Sequence, residues 1–325
     1  MHARAAAVVA LTVGVGVLAR TAAAEENDLV LSRLGTVASD GSHVIADNQA
    51  FRSLSSELGT IFAPRNLAPA DTLGFSGFQF SGDFGFTTIS NDQPFWCATE
   101  ESDNCMAGFD KSGMVQTFGL FARKGFWFPL PSFEVGAGAV HILNSRMWSG
   151  QAYAKFALHE GFHDWPIPSL AVRGAVGRLF GVEQLDLTNV SLDISISKRI
   201  AIQGTFSLTP YLGYGFLWIV ARSQVIDKTP NIAVKDDPND ISMNFVFPDQ
   251  DNIERQRIFG GFKAKYYVFA FTFEIDYALA GDSVDDVTGI TTPCDTAPAS
   301  EKNRCDATDQ SGAQATYSFA VSLDF

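Results

Sequence analysis

From Phe78 to Phe325 apolar and polar residues alternate in ten segments. Each has roughly the 9 to 11 residues that a tilted membrane strand needs. The first is the cleanest: Phe78, Phe80, Phe84 and Phe86 share one face with Gly82 and Thr88, while Gln79, Ser81, Asp83, Gly85 and Thr87 share the other. Period two is the signature of a strand. Four phenylalanines beside an aspartate make sense only where the two faces meet different solvents. The pattern therefore predicts lipid outside and a polar lumen inside. In the tenth segment Ala313, Ala315, Tyr317, Phe319, Val321, Leu323 and Phe325 oppose Gln314, Thr316, Ser318, Ser322 and Asp324, with Ala320 the one break.

The intervening segments lie near 114–124, 133–143, 151–159, 170–179, 190–197, 205–220, 255–265 and 269–277. Their phases point Val190, Leu192, Ile194 and Ile196 outward, and Phe206, Leu212, Phe216 and Trp218 likewise. The same phases place Asp83, Glu134, Lys155, Arg173, Asp193, Arg255, Arg257, Lys263, Glu274 and Asp276 on the inner face. Such charges either pair into a polar core or line a path that selects solutes. Inward Tyr153, Arg173 and Tyr211 favour a filled lumen, whereas inward Gly85, Gly213 and Gly215 leave room for a channel. Pro210 has to sit at a bulge or near a rim, since it lacks a ladder donor.

Short turns near 125–131, 160–169, 198–204 and 265–268 alternate with connections at 90–113, 144–150, 180–187, 222–254 and 280–311. That is the order of an up-and-down barrel with short turns on the periplasmic side. Aromatics gather at the short-turn end (Phe126, Trp127, Phe128, Phe162, Trp165, Tyr266, Tyr267), as in an interfacial girdle.

Residues 25–77 lack this alternation. Asp47 is placed to cap a helix whose Ala50, Phe51, Leu54 and Leu58 share a face and which Gly59 stops. Pro64 and Pro69 break the chain before the first strand. The segment is either a plug or, with Leu29–Val37 and Val44–Ala46 as a hairpin, a source of two more strands, twelve in all. The plug is preferred, because the alternation flanking Asp40-Gly41-Ser42 is poor. As a plug it would be separable, leaving a barrel that folds without it.

Residues 1–24 carry a basic start (His2, Arg4), an apolar run from Ala5 to Ala19 and small residues at 22–24, the layout of a secretory signal peptide. Export makes disulfides the default, and the four cysteines are expected to pair locally as Cys97–Cys105 and Cys294–Cys305. Each bridge is worth about 2 to 3 kcal/mol in the chain-entropy picture. No metal centre or cofactor is expected, although Asp236, Asp237 and Asp240, or Asp249 and Asp251, crowd hard oxygen ligands that calcium would accept.

The chain of 325 residues has 28 Phe, 28 Gly, 18% charged residues and a formal net charge of -13. Excess acid sits in the connections 90–113, 222–254 and 280–311, where it meets solvent and, through divalent cations, lipopolysaccharide. Nucleic acid is excluded as a partner on charge. Outer-membrane phospholipases use a Ser-His-Asn arrangement and omptin proteases an Asp-His pair. Here His141 points to lipid, His159 and His163 fall at a short turn, and no serine in a nucleophile motif accompanies them. The sequence therefore argues against an enzyme.

The terminal strand, with Tyr317, Phe319, Val321, Leu323 and Phe325 at every second position, resembles the assembly signal of bacterial outer-membrane β-barrel proteins. The resemblance implies an outer-membrane location, passage through the periplasm and engagement of the barrel-assembly machinery. An amphipathic segment ahead of a barrel is loosely similar to the long-chain fatty-acid transporter family, whose hatch closes the lumen and whose cargo is hydrophobic. That family's Asn-Pro-Ala motif is missing, Asn66-Leu67-Ala68-Pro69-Ala70 being a distant echo, and its fourteen strands exceed the ten here, so no binding residue carries over. The expected molecule is an all-β, ten-stranded barrel (78–325) behind a plug-like segment (25–77). It acts as a channel or passive transporter for small solutes, or alternatively as a closed structural or surface-interaction barrel.

Overall fold

The computed structural model describes residues 24–101, 111–127, 132–161, 167–202, 205–232, 237, 240–286 and 306–325. The expected signal peptide (1–24) lies outside them except for Ala24, as do Cys105, Cys294, Cys305, Asp236, His163, Phe128, Phe162 and Trp165. Ten strands form the wall: β1 (Phe78–Thr88), β2 (Met114–Phe126), β3 (Phe133–Ile142), β4 (Trp148–His159), β5 (Ser169–Phe180), β6 (Leu185–Ser197), β7 (Phe206–Ser223), β8 (Gln250–Tyr266), β9 (Phe269–Ala278) and β10 (Gln314–Asp324). Each pairs antiparallel with its neighbours in sequence, and β10 pairs with β1, so the sheet closes into an up-and-down barrel without edges. The hairpin Gly35–Val37 with Val44–Ala46 exists but stands apart as its own two-stranded ribbon. The wall therefore has ten strands rather than twelve.

Side chains fall on the faces that the alternation predicts. Phe80, Phe84, Leu192, Leu212, Phe271, Phe319 and Val321 are exposed outside, while Gln79, Ser81, Asp83, Ser191 and Asp193 are buried inside. A continuous outward belt of this kind is stable only against hydrocarbon. Trp127, Tyr266, Tyr267 and Phe269 ring its short-turn rim.

Several strands run further than the sequence implied. β7 has 18 residues and β8 has 17. The connections expected at 144–150 and 180–187 shrink to tight turns, with Asn144 and Gly181 at positive φ. Towards the long-loop end the two faces exchange character. Leu185, Leu187, Leu217, Ile219, Ala221 and Ile253 point inward and are buried, while Arg222, Asp251 and Glu254 face outward. The wall thus rises past the apolar belt into water, where it buries its grease inside as a soluble protein does. Of these inward residues, Leu185, Leu187 and Ile253 fall in the expected connections 180–187 and 222–254, whereas Leu217 and Ile219 fall within the expected segment 205–220.

The helix α1 (Asn48–Ile61) occupies the long-loop half of this interior. Asp47 caps it, its carboxylate accepting from Ala50 N at 2.9 Å. Phe51, Leu54, Leu58 and Ile61 join Val115, Val140, Ile142, Leu217, Ile219 and Ile253 in one buried cluster, and Phe51 stacks on Phe247 at 4.4 Å. Gly59 does not stop the helix, which continues to Ile61. A Cβ there would run into the Ile219 side chain, so close helix-to-wall packing explains the glycine. Pro210 shows no register shift towards β8; it lies where the neighbouring strand is interrupted at Lys198–Arg199, between β6 and the short strand Ile200–Ile202. A missing donor matters least beside such a gap.

Candidate functional site

Below α1 the chain leaves helical geometry and descends through the barrel as irregular backbone from Phe62 to Gly74. Backbone at membrane depth must find its hydrogen bonds in protein. Pro64 and Pro69 remove two donors from that requirement. The wall meets much of the remainder: the side chains holding this segment come from eight of the ten strands, through Asp83, Arg123, Glu134, Gln151, Arg173, Ser197, Glu274 and Ser318.

Arg65 makes the central contact. It donates to Asp83 Oδ2 at 2.7 Å and also reaches Thr117 and Ser318. Both partners of the ion pair are buried. Arg123 donates to the carbonyl oxygens of Leu67 at 3.1 Å and Asn66 at 3.1 Å. Arg173 donates to Asn66 Oδ1 at 2.8 Å, Leu67 N to Glu274 Oε2 at 3.0 Å, and Leu73 N to Glu134 Oε2 at 3.0 Å. Lys155 donates to the carbonyls of Pro69 and Asp71.

All ten charges predicted inward do face the lumen. Lys155 lies 3.2 Å from Glu134, and Arg257 bridges Asp276 at 2.8 Å and Asp193 at 3.0 Å. Asp193 also stands 3.9 Å from Arg173, and Lys263 meets Asp324 at 2.6 Å. Two of the ten have no ion pair among the described residues: Glu274, which accepts from Leu67 N and the Tyr211 hydroxyl, and Arg255. Higher in the barrel, Arg255 donates to Ser56, Ser311 and the carbonyls of Leu279 and Gly312. The neighbouring Glu57 accepts from Ser90 N, Trp96 Nε1 and Gly312 N. Burial pushes its carboxyl above the ordinary value against the pull of those donors.

The inward glycines do not open a path. Arg65 occupies the space beside Gly85, the Phe259 ring that beside Gly213 and the Asp193 carboxylate that beside Gly215. Arg65, Asn66 and Arg123 were missed as site residues. The first two sit in a segment without periodicity, and the one available signal was a lone base close behind Pro64.

The calcium candidates are otherwise engaged. Asp240 is buried and accepts from the Thr229 hydroxyl, Asp237 is exposed, and Arg222 already lies between Asp249 and Asp251 at 3.3 and 3.4 Å. Among the described residues no three His, Cys, Asp or Glu side chains group to hold a metal. Cys97 is buried in the short helical turn Pro94–Ala98 and is not a free thiol. His141 stacks on Trp148 at 4.3 Å on the outer face.

No family model matches the chain, and no curated protein does. Among solved structures it matches the attachment invasion locus protein Ail of Yersinia pestis at 10% identity, covering 77% of this chain and 99% of that one, with a TM-score of 0.26. Neisserial surface protein A matches at 9% identity over 77% and 96%, TM-score 0.26. The outer membrane protease OmpT of Escherichia coli matches at 11% identity over 79% and 100%, TM-score 0.23. Likenesses at this level assign no activity. With a protease among the matched structures, however, the exclusion of an enzyme drawn from the sequence is withdrawn.

Proposed function

We propose that this protein is a bacterial outer-membrane β-barrel kept closed by its own N-terminal segment, serving as a structural or surface-interaction barrel whose long-loop end is the working part. The reading rests on one observation above the others: residues 62–74 are tied, through their backbone and through the Arg65 and Asn66 side chains, to eight strands around the lumen, with Arg65 and Asp83 paired near the middle of the segment. The outward apolar belt supports placement in outer-membrane lipid. A hydrophobic cargo is disfavoured, because the lower lumen is lined by ion pairs that an apolar solute would have to strip of partners.

Planar-bilayer recording of the purified full chain tests the reading. It should give no steady conductance at moderate voltage. A stable ohmic conductance from the wild-type protein would instead establish the channel reading, which is favoured by the cavity left at the short-turn end.

A further inference from the structure

At the short-turn end the lumen is not filled. A cavity of about 210 Å³ remains between residues 68–74 of the descending segment and the inner wall. Five cations line it, Arg123, Lys155, Arg199, Lys263 and Lys265, against three acids, Asp71, Glu134 and Asp324. In a chain of net charge -13 this inverts the prevailing sign.

Internal pairing leaves part of that positive charge uncompensated. Glu134 serves Lys155, while the single Asp324 carboxylate serves both Lys263 at 2.6 Å and Lys265 at 3.3 Å. Neither Arg123 nor Arg199 has a carboxylate within ion-pair distance among the described residues. Arg123 is 4% exposed; it gives two nitrogens to backbone carbonyls, lies 5.9 Å from the centre of the Tyr153 ring, and leaves its Nε without a partner.

We propose that this vestibule binds a small oxyanion of the phosphate or short dicarboxylate class. Guanidinium and ammonium donors match carboxylate and phosphate oxygens with charge-assisted hydrogen bonds. The Ser207 and Thr209 hydroxyls on the same wall supply further donors. The site sits between a low-dielectric wall and water, where a charge interaction is stronger than in bulk solvent. Its volume exceeds the roughly 30 Å³ share of one water several-fold, which admits such an anion but not a polymer.

Isothermal titration calorimetry of the full chain in non-ionic detergent tests this, with inorganic phosphate and, separately, succinate as titrants. At least one should bind saturably, with affinity falling as sodium chloride is raised. Lys265→Gln and Arg199→Gln alter side chains that reach solvent, so they leave the barrel folded, and each should weaken binding by about fivefold or more. Absence of saturable heat with both titrants overturns the proposal, and so does affinity unchanged in both variants.

Discussion

Arg65 is the one base between Arg52 and Lys111, and it lies at the middle of the lumen. Its guanidinium fills the space that Gly85 leaves, so glycine and arginine form a size-matched pair across it. Arg65→Ala should lower stability by about 3–5 kcal/mol, because it strands the buried Asp83 carboxylate. Urea unfolding in detergent micelles measures this, and Asp83→Asn added to the same chain should return much of the loss. A decrease below about 1 kcal/mol would mean that solvent reaches Asp83. The aspartate was legible because period two fixes its face. Its partner was not, because the descending segment has no period and only the folded chain brings the two together across 18 residues.

At the scale of elements, α1 shows which helix signals are local. The Asp47 cap could be read because it depends on neighbours three residues away. Gly59 was misread as a stop because its cause, the Ile219 side chain, lies on another element. Gly59→Ala should therefore destabilise by about 1–3 kcal/mol through overpacking, despite alanine's better helix propensity. The same substitution combined with Ile219→Val should be markedly less costly in the same unfolding assay. If Gly59→Ala proved stabilising by itself, the close packing of α1 on β7 would be refuted. Strand ends follow the same logic: β7 and β8 extend past the belt because their inward Leu217, Ile219 and Ile253 pack on the cluster that α1 joins.

For the whole molecule, barrel and N-terminal segment are one folding problem. The upper interior is apolar and needs α1 to cover it; the lower interior is ionic and shares donors and acceptors with residues 62–74. Arg52, fully buried, further ties α1 to Ser283 and Gln250 in the long-loop end. Removing residues 25–72 should thus abolish stable folding rather than leave the separable barrel that the strand pattern alone implied. Gel mobility of unheated against boiled samples and circular dichroism of the truncated chain decide this. A truncated protein that keeps the heat-sensitive mobility shift would show that the wall stands without its filling.

The sequence by itself determined the barrel, its ten strands, the inward set of charges and the outward belt. Each follows from an alternation that is local and repeats along the chain. It also determined the Asp47 cap, for the same reason of short range. Only the tertiary structure decided that Arg65 answers Asp83, that Gly59 makes room for Ile219, that the inward glycines are filled, and that the wall turns its apolar face inward above the belt. Those outcomes depend on which solvent each depth of the wall meets and on side chains brought together from distant segments. Periodicity along one strand reports neither the level at which lipid ends nor what stands on the other side of the lumen.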